Sequence, residues 1–502
     1  MTVADWIIRF LQEHGVPHIA ALCGHGLDPL FEAASKAGMR LIDTRNEQTA
    51  GYIAECYGRL TRTPGVCATS SGVAAANAMT GVMNAWFDGA PMLYLSGSAN
   101  SSVLGMGCFQ DIDQAELLRP ITRYSRILDT PAKAGRLLQE AWQEANTPGP
   151  AHLQIPMDVQ RAEVGEMFAA PAARTTASSN REQVTAMLRT ARRPLIVATS
   201  DAYYSGEGDA LLAFAEKHSI PVQTPIWDRG ICDRSSPVFV GVLGALSRDP
   251  GLLALADAVV VTGPINDYRV AYWKTSAPIV RVDGGWADID APKFDAWLAE
   301  ARALRTEFSA DTRAIAAGQR ISGRIHAVDI VDAIDAALPE DGTLVIDGGS
   351  IGQWAHHLLA ERRYPGNWLS CGVSGVVGYG IGGAMAARLA RPDKPVLLLS
   401  GDGAFTFTVA ELECAVRQNL PFVALVADDQ CWGITHSGHL RQFGQGIATQ
   451  LGAIDFAALA ESLGARGIRI DSAAALAPAI REALALPRVT VLHVPISGGN
   501  PG

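Results

Sequence analysis

Unbroken runs of apolar residues, each followed by a helix-forming stretch rich in alanine and leucine, recur along the chain of 502 residues. Such runs are typical of strands buried on both faces, as in parallel sheets that helices cover, whereas half-exposed strands alternate polar and apolar residues. The pattern therefore predicts an α/β fold. We expect strands at HIAAL, GVCATSS, PMLYLSG, AHLQIP, PLIVATS, AVVVTG, PIVRVDG, TLVIDGG, PVLLLSGDG, FVALVADD and VTVLHVP.

Two stretches predict domain boundaries. Residues 163–183 are rich in Ala, Ser, Thr and Pro, which is typical of a linker, and residues 309–329 form a weaker boundary because part of that stretch could be helical. The intervening blocks have the usual size of domains. We expect three domains, each an open, mostly parallel sheet flanked by helices, over residues 1–165, 184–308 and 325–502.

Composition excludes several classes of protein. The formal charge of −10 and the pI of about 5.6 argue against a nucleic-acid partner, which requires a basic surface. No run of apolar residues is long enough to span a membrane, and the N-terminus lacks the features of a secretory signal. The eight cysteines are scattered without a CxxC pair, so neither a disulfide framework nor a zinc site is expected. Free cysteines suit a reducing cytoplasm, where we expect the protein to be.

The segment GDGAFTFTVAELECAVRQNLPFVALVADDQCWG, residues 401–433, carries the strongest chemical signal. Asp402 follows one predicted buried strand, and Asp428 and Asp429 follow the next. The carboxyl ends of neighbouring parallel strands meet at one edge of a sheet, where such sheets bind ligands. Two carboxylates and phosphate oxygens suit Mg²⁺, and the glycines allow backbone N–H groups to approach a phosphate. We therefore favour a Mg²⁺–diphosphate site over a turn aspartate and a helix cap.

This segment resembles the thiamine-diphosphate motif, which begins with Gly-Asp-Gly and usually ends in Asn-Asn. The resemblance implies that Asp402, Asp429 and the backbone carbonyl of Cys431 are the metal ligands. The chain differs from the motif because Asp428 and Asp429 replace Asn-Asn, which adds negative charge near the diphosphate. The resemblance further implies cofactor contacts from Gly401, Gly403, Ala404, Trp432, Gly433 and Ile434.

An upstream segment, LIDTRNEQTAGYIAECYGRLT at residues 41–61, resembles the family's Arg-His-Glu segment. Glu47 then matches the catalytic glutamate that protonates the aminopyrimidine ring of the cofactor, and Asn46 replaces the histidine. The alternative for Glu47 is a charge that only stabilises the first turn of a helix. The presence of both motifs in the expected order favours catalysis.

Shorter stretches extend the resemblance over nearly the whole chain. In SSGVAAAN, DGGSIGQ and CGVSGVVGYG it implies further cofactor contacts, and in CFQDIDQ it implies a substrate-facing glutamine, Gln110. The loop ALCGHGLDPLF enters the active site in the related enzymes, so we expect His25 to face the substrate as an acid or base rather than to be a surface histidine. His356 and His357 are expected to be packing or surface residues. The implied further cofactor contacts are Asn77, Ser350, Ile351, Ser374 and Val377.

The closest resemblance is to the group of acetolactate synthases and benzaldehyde lyase. It implies a thiamine-diphosphate- and Mg²⁺-dependent lyase or carboligase acting on 2-oxo acids or 2-hydroxy ketones, in a homodimer or homotetramer with active sites at the subunit interface. Within enzymes, the alternatives are an acetolactate-synthase-like carboligase, a 2-oxo acid decarboxylase and a 2-hydroxyacyl-CoA lyase, the last disfavoured because the chain ends soon after its last predicted strand. A cofactor-binding regulatory protein without turnover is the alternative outside enzymes. FAD is retained as a second cofactor for which residues 184–308 give no decisive signal.

Overall fold

The computed structural model describes residues 1–146, 149–164, 180–231, 234–244, 248–359 and 368–501. These residues form three parallel sheets, one in each block between the predicted boundaries, and the α/β prediction is confirmed. Most of the predicted linker at 163–183 lies outside the described residues. None of the helices in the described ranges is long and apolar enough to cross a membrane.

The first sheet belongs to a compact unit that begins at the N-terminus. Its strand order is β2-β1-β3-β4-β6-β5. Because β1 lies between β2 and β3, the connection from β1 to β2 runs to one side of β1, and the next connection, to β3, runs to its other side. Ligands of such sheets bind at this switch point, here between the ends of β1 and β3, where Leu22 pairs with Thr69. The strands are β1 (His18–Leu22), β2 (Arg40–Asp43), β3 (Gly65–Thr69), β4 (Met92–Ser98), β5 (Tyr124–Ile127) and β6 (Pro150–Pro156).

Helices cover both faces of this sheet, and two of them come from the C-terminal part of the chain. The helix Gly380–Ala390 packs on Glu47–Thr61 so closely that a Cβ on Gly382 would lie 3.0 Å from the Cβ of Tyr52. The helix Glu411–Arg417 also belongs to this unit. The other α-helices are Val3–Glu13, Asp28–Lys36, Glu47–Thr61, Val73–Asp88, Gln114–Leu118, Ala134–Asn146 and Met157–Arg161, with 3₁₀ turns at Ser101–Val103, Arg119–Ile121 and Pro131–Lys133.

The central sheet lies in the second compact unit and has the order β11-β10-β7-β8-β9. The long helix Asp295–Gln319 continues through the first half of the stretch 309–329, which the sequence allows to be partly helical. The strands are β7 (Pro194–Val197), β8 (Val222–Pro225), β9 (Phe239–Leu243), β10 (Ala258–Val261) and β11 (Ile279–Arg281). The remaining helices are Arg181–Thr190, Ser200–Tyr204, Gly208–His218 and Leu252–Leu255, with 3₁₀ turns at Tyr268–Trp273 and Trp286–Asp288.

The third sheet, in the same unit, has the order β12-β18-β16-β15-β13-β14, and β17 also pairs with β18. Its switch point lies between β13 and β15, where Asp347 pairs with Ser400. The strands are β12 (Ile325–His326), β13 (Thr343–Asp347), β14 (Trp368–Leu369), β15 (Val396–Gly401), β16 (Val423–Asp428), β17 (Arg466–Arg469) and β18 (Thr490–Ser497). The helices are Ala327–Ala337, Gly349–Leu358, Asp402–Thr406, Gly433–Phe443, Phe456–Ser462 and Ala473–Leu484.

Each unit has its own apolar core. In the first unit the inner faces of the helices pack on the central strands, for example Ile7 and Leu30 with Leu95. In the second unit one continuous core includes residues of both sheets, from Val184 to Val494. The exact limits of the three domains, residues 1–165, 184–308 and 325–502, stay predictions.

Candidate active site

In the first unit, the loops that follow β1 and β3 meet at the switch point of the sheet. The hydroxyl of Ser70 donates a hydrogen bond to the carbonyl oxygen of His25, and Ser71 Oγ lies 3.4 Å from the same oxygen. Ser71 Oγ also donates to Oε1 of Gln110 at 2.9 Å. The structure therefore brings together His25 and Gln110, the two residues that the sequence predicts to face the substrate.

The backbone around Gln110 is adapted to a close approach. Gln110 has a φ of +56°, which is unusual for a residue other than glycine. A Cβ on Gly72 would lie 2.5 Å from the carbonyl oxygen of Gln110, so only glycine fits at that position. The ring of Phe109, 69% exposed, meets the ring of His25 edge-on with 6.4 Å between centroids. The polar pair thus lies beside an exposed aromatic surface.

Glu47 is the first residue of the helix that follows β2. The Asn46 side chain caps this helix by accepting a 2.8 Å hydrogen bond from the backbone N–H of Gln48. Asn77 donates from Nδ2 to Glu47 Oε2 at 2.6 Å and to Asn46 Oδ1 at 3.2 Å. Glu47 is therefore both a first-turn charge and a carboxylate oriented by an amide donor from a second helix.

The charge of Glu47 acts on buried groups beneath it. Burial, and in addition the Glu47 charge, raises the pKa of the Cys67 thiol. Burial likewise raises the pKa of Tyr94, and Glu47 adds a smaller contribution to it. Burial keeps the Tyr94 hydroxyl protonated, and this hydroxyl lies 2.6 Å from Thr69 Oγ1. The Glu47 side chain therefore lies close enough to Cys67 and Tyr94 to act on them electrostatically.

The loop that contains Ser374 and Val377 is anchored on the helix Val73–Asp88, which also carries Asn77. Ser374 Oγ donates to Asn84 Oδ1, and the backbone N–H of Val373 donates to Asp88 Oδ1 at 2.9 Å. A Cβ on Gly372, whose φ is +78°, would collide with the Asp88 carboxylate. Both predicted cofactor residues of this loop therefore lie in the first unit.

A buried charge network supports those anchors. Asn84 Nδ2 donates to Glu55 Oε1 at 2.8 Å, and Arg59 pairs with Glu55 at 3.8 Å and with Asp88 at 3.5 Å. Burial raises the pKa of Glu55 to about 7, although the Arg59 charge opposes this shift. The side chains of Glu55 and Arg59 are fully buried. The network links the two helices that carry Glu47 and Asn77.

In the second unit, β15 and β16 pair in parallel with Gly401 beside Ala427, as the segment 401–433 predicts. Asp402 is buried at the start of a short helix, and Asp429 immediately follows β16. Burial and the charge of Asp429 raise the pKa of Asp402 to about 7, and burial raises the pKa of Asp429. A divalent cation would favour the ionised form of both carboxyl groups.

The two aspartates that replace Asn-Asn have different environments. Asp428 Oδ2 accepts a hydrogen bond from Nε2 of the buried His493 at 2.9 Å, and Oδ1 accepts from the N–H of Gln430 at 3.2 Å. Asp429 Oδ1 accepts from the N–H of Cys431 at 3.2 Å. Both oxygens of Asp428 therefore accept hydrogen bonds inside the protein, and the charges of Asp429 and Asp428 both act on Asp402.

The turn from Gln430 to Trp432 is held by a neighbouring segment. The N–H of Trp432 donates to the carbonyl of Thr449, and the N–H of Leu451 donates to that of Gln430, both at 2.8 Å. Burial, and then the charge of Asp429, raises the pKa of the Cys431 thiol to about 12. The thiol is therefore protonated at neutral pH in the absence of a metal ion.

The loop after β13 is close to the turn after β16. A Cβ on Gly433 would lie 2.5 Å from Ser350 Oγ, and one on Gly349 would lie 2.7 Å from the Ile434 side chain. Ser350 Oγ is buried and makes no hydrogen bond within the described residues. A buried hydroxyl without a partner usually signals a missing acceptor or donor, which a diphosphate oxygen would supply.

The glycine-rich turn after β15 is closely packed at Gly403 and open at Gly401. A Cβ on Gly403 would lie 2.6 Å from the Trp432 ring, whereas the space around the Cβ position of Gly401 is open. The side chains of Ala404 and Ile351 are buried.

The residues fit a Mg²⁺–diphosphate group by their chemistry. The described part of the chain contains no group of three or more His, Cys, Asp or Glu side chains arranged to hold a metal ion. Mg²⁺ rarely needs such a cage, because it is commonly bound by one or two carboxylates together with substrate phosphates. Asp402, Asp429 and the Cys431 carbonyl provide that kind of donor set, next to the unpaired Ser350 hydroxyl.

Three family models match consecutive parts of the chain. They are the thiamine pyrophosphate enzyme N-terminal TPP-binding domain over residues 1–117, the central domain over 181–295 and the C-terminal TPP-binding domain over 347–494. The chain belongs to the thiamine pyrophosphate enzymes.

Similar proteins are enzymes of this family with several activities. An acetolactate synthase large subunit of Mycobacterium tuberculosis is 29% identical, with 97% of this chain and 94% of the relative aligned. A 2-hydroxyacyl-CoA lyase 2 of Homo sapiens is 28% identical, with 93% and 84% aligned. A probable 2-ketoarginine decarboxylase of Pseudomonas aeruginosa is 28% identical, with 86% and 83% aligned. This chain is therefore a thiamine-diphosphate-dependent enzyme of the acetolactate synthase type.

Two histidines of this thiamine pyrophosphate enzyme are packing residues, as the sequence predicts. His356 and His357 are buried in the helix Gly349–Leu358, and burial lowers their pKa values to about 4 and about 3. Both rings are therefore neutral near pH 7. His436 of the helix Gly433–Phe443 lies 2.7 Å through Nδ1 from Thr449 Oγ1.

Two residues near the site of this thiamine pyrophosphate enzyme were missed in the sequence. Ser71, which contacts Gln110, lies in the quoted stretch SSGVAAAN, and its role depends on the pairing of β1 with β3. His493 lies in VTVLHVP, where a polar residue interrupts an apolar strand. That interruption is a usable signal, because a buried histidine generally needs a hydrogen-bonding partner.

Proposed function

We propose that the chain is a Mg²⁺- and thiamine-diphosphate-dependent lyase or carboligase that makes or breaks a carbon–carbon bond next to a carbonyl group of a 2-oxo acid or 2-hydroxy ketone. The observation that carries the proposal is the position of two half-sites, each next to the switch point of its own sheet. One half-site contains Glu47, His25 and Gln110, and the other contains Asp402 and Asp429.

Each half-site has groups suited to a separate part of the task. Asp402, Asp429 and the Cys431 carbonyl would hold Mg²⁺, and Ser350 with the neighbouring backbone N–H groups would bind the diphosphate. Glu47, oriented by Asn77, would hold and transfer a proton at the aminopyrimidine ring. When bound, thiamine diphosphate supplies a nucleophilic carbon and an electron sink.

His25 and Gln110 are proposed to bind the substrate. Gln110 presents an amide held by Ser71, and the exposed His25 imidazole can serve as an acid or base. The nearby Phe109 ring suits a substrate with an apolar group. Because 2-oxo acids and acyloins both carry an oxygen beside the reacting carbonyl, an imidazole and an amide side by side can bind either class.

We further propose a cytoplasmic homodimer or homotetramer in which a second copy completes each active site, as the family resemblance implies. The seven described cysteines are free, which supports a reducing compartment. We do not propose FAD as a second cofactor. At the switch point of the central sheet a Cβ on Gly263 would collide with the Asp201 carboxylate, and Gly263 N–H donates to Asp283 at 3.0 Å. Two carboxylates at that point oppose a dinucleotide diphosphate.

The test supplies purified protein with thiamine diphosphate and Mg²⁺. Pyruvate is offered with detection of CO₂ and acetolactate, and aromatic and aliphatic acyloins are offered with detection of released aldehyde. We expect turnover in at least one assay, and its loss by a factor of 10² or more in Glu47→Gln, since general acid–base catalysis contributes about 10²–10⁴-fold. No turnover of either class by the cofactor-loaded protein would contradict the proposal.

A second candidate is carboligation of two pyruvate molecules, which the acetolactate synthase relatives favour. Acetolactate formation without cleavage of acyloins would select it. Cleavage of acyloins with little reaction on pyruvate would select the lyase.

A further inference from the structure

The loop of residues 23–27, which follows β1, carries the exposed side chain of His25 on a closely packed backbone. A glycine stands on each side of His25, and Gly26 is buried. A Cβ on Gly24 would lie 2.7 Å from the Cβ of Ser70, and Gly26 has a φ of +112°. The loop therefore needs both glycines in order to pack against its neighbours.

Side-chain donors hold two successive carbonyl groups of this loop. The hydroxyl of Ser70 donates to the carbonyl oxygen of His25, and Gln160 Nε2 donates to that of Gly26 at 2.6 Å. The second proton of the same amide goes to the carbonyl oxygen of Ile155, the penultimate residue of β6, at 2.8 Å. Gln160 thus ties the loop to the end of a strand that is not adjacent to β1 in the sheet.

The amide of Gln160 has no other use among its neighbours. Gln160 lies in the short helix Met157–Arg161, and its side chain is fully buried. Its Oε1 has no hydrogen-bond partner within the described residues. Burial of that oxygen is costly, and an apolar side chain of similar size would avoid the cost. What the amide contributes at this position is therefore its pair of donated hydrogen bonds.

We propose that Gln160 is a positioning residue for His25, because it fixes the carbonyl of Gly26 and thereby holds the imidazole where the substrate binds. Glycine has many accessible backbone conformations, so a Gly-His-Gly loop keeps one conformation only where other groups fix its carbonyls. The inference rests on the proposed function, because it takes His25 as a substrate-binding residue.

The test uses Gln160→Met, which keeps the length of the side chain and removes both donated bonds. We expect kcat/KM on the preferred substrate to fall about tenfold or more, because a small misplacement of a reacting group costs up to about 10²-fold. Proton exchange at the reactive carbon of bound cofactor, which depends on Glu47, is expected to keep its wild-type rate. An equal decrease of this exchange would overturn the proposal.

Gln154→Met is the matched control. Gln154 of β6 is also buried, and its Oε1 likewise lacks a partner in the described part of the chain. The side-chain hydrogen bonds to the loop come from Ser70, Ser71 and Gln160. We expect Gln154→Met to keep the wild-type kcat/KM.

Combination with His25→Ala shows whether Gln160 acts through His25. Two substitutions that act through one group are not additive, so Gln160→Met should change kcat/KM little when His25 is already alanine. An equal loss in both backgrounds, or no loss in either, would overturn the proposal. If Gln160→Met does not fold, Gln160→Asn replaces it, because its shorter amide cannot reach both carbonyl groups.

A measurement without turnover separates this inference from the function. In protein with isotope-labelled histidine, the NMR signal of the His25 ring is the one that His25→Ala removes. We expect this signal to shift or broaden in Gln160→Met and to stay unchanged in Gln154→Met. An unchanged signal in Gln160→Met would overturn the inference, whatever the activity. The expected change of signal in an enzyme that turns over no substrate would overturn the proposed function and leave the link between Gln160 and His25 intact.

Discussion

Asn77 donates a 2.6 Å hydrogen bond to Oε2 of Glu47, and this bond joins the helix Val73–Asp88 to the start of the helix Glu47–Thr61. A donor that contacts one carboxylate oxygen fixes the orientation of the carboxylate. The geometry makes Asn77 a positioning residue for Glu47.

Asn77→Asp places a second carboxylate at hydrogen-bonding distance from Glu47. Like charges disfavour ionisation, so we expect the pH profile of proton exchange at the reactive carbon of bound cofactor to move upward by about one unit. The measurement is exchange followed by NMR at several pH values. Thr80→Ala, one turn further along the same helix and exposed, serves as control. An unchanged profile in Asn77→Asp would argue against the pairing.

Gly433→Ala is expected to disrupt the cofactor site. Its Cβ would lie 2.5 Å from Ser350 Oγ and 3.0 Å from Asp429 Oδ2, so the diphosphate loop and the metal-binding turn must separate. We expect Mg²⁺-dependent binding of thiamine diphosphate to weaken at least tenfold, as measured by calorimetry. Gly438→Ala in the same helix has open space at its Cβ and should bind like wild type, with a gain of about 1 kcal/mol in helix stability. Similar affinities for the two variants would contradict the geometry.

Ser71→Ala removes the hydroxyl that holds Gln110. A lost hydrogen bond of about 0.5–1.5 kcal/mol corresponds to a decrease in kcat/KM of up to about tenfold, if Gln110 binds substrate in the transition state. Steady-state kinetics on the preferred substrate provides the measurement. Ser102→Ala, exposed in the 3₁₀ turn Ser101–Val103, should keep the wild-type value. The proposal for Gln110 fails if both variants behave alike.

The raised pKa of Glu55 predicts that the stability of the protein depends on pH. Burial raises the pKa of Glu55 from 4.5 to about 7, so between these pH values the folded protein holds a proton that the unfolded chain has lost. The stabilising contribution of this proton to the free energy of unfolding therefore decreases as pH rises, by at most about 1.4 kcal/mol per pH unit. It is lost above about pH 7.

In Glu55→Gln this slope is expected to disappear, so the stability of the variant relative to wild type should increase from pH 5 to pH 8. Denaturant unfolding at several pH values measures it. Glu13→Gln is the control, because Glu13 is exposed and pairs with the exposed Arg9. A relative stability of Glu55→Gln that stays constant with pH would show that Glu55 is ionised throughout.

Much of the fold follows from the sequence because buried parallel strands have a distinctive composition. All but one of the predicted runs correspond to inner strands of the three sheets, such as β4, β15 and β16, and the exception is the edge strand β11. The strands that the sequence did not reveal are mostly short or at an edge, such as β2, β12 and β14. The two-residue strands β12 and β14 carry too few apolar side chains to form a run, and β8 ends in proline, which is uncommon inside a strand.

The site was predicted unevenly for a physical reason. Asp402 and Asp429 end two strands that are consecutive in the chain and adjacent in the sheet, so their proximity could be derived. The contact of Ser71 with Gln110 depends on a loop conformation with positive φ, and the contact of Asp428 with His493 depends on the pairing of β16 with β18. Neither loop geometry nor strand order can be read from local patterns.

The helices Gly380–Ala390 and Glu411–Arg417 belong to the first compact unit although the chain reaches them long after its first sheet is complete. Glu411 accepts hydrogen bonds from the backbone N–H of Arg45, and Arg417 pairs with Asp43. A fragment ending near residue 165 would lose both helices and leave Thr49 and Tyr52 of the helix Glu47–Thr61 without the glycine-rich helix that packs on them. Recombination between homologous genes at that point would likewise separate surfaces that have to be inherited together.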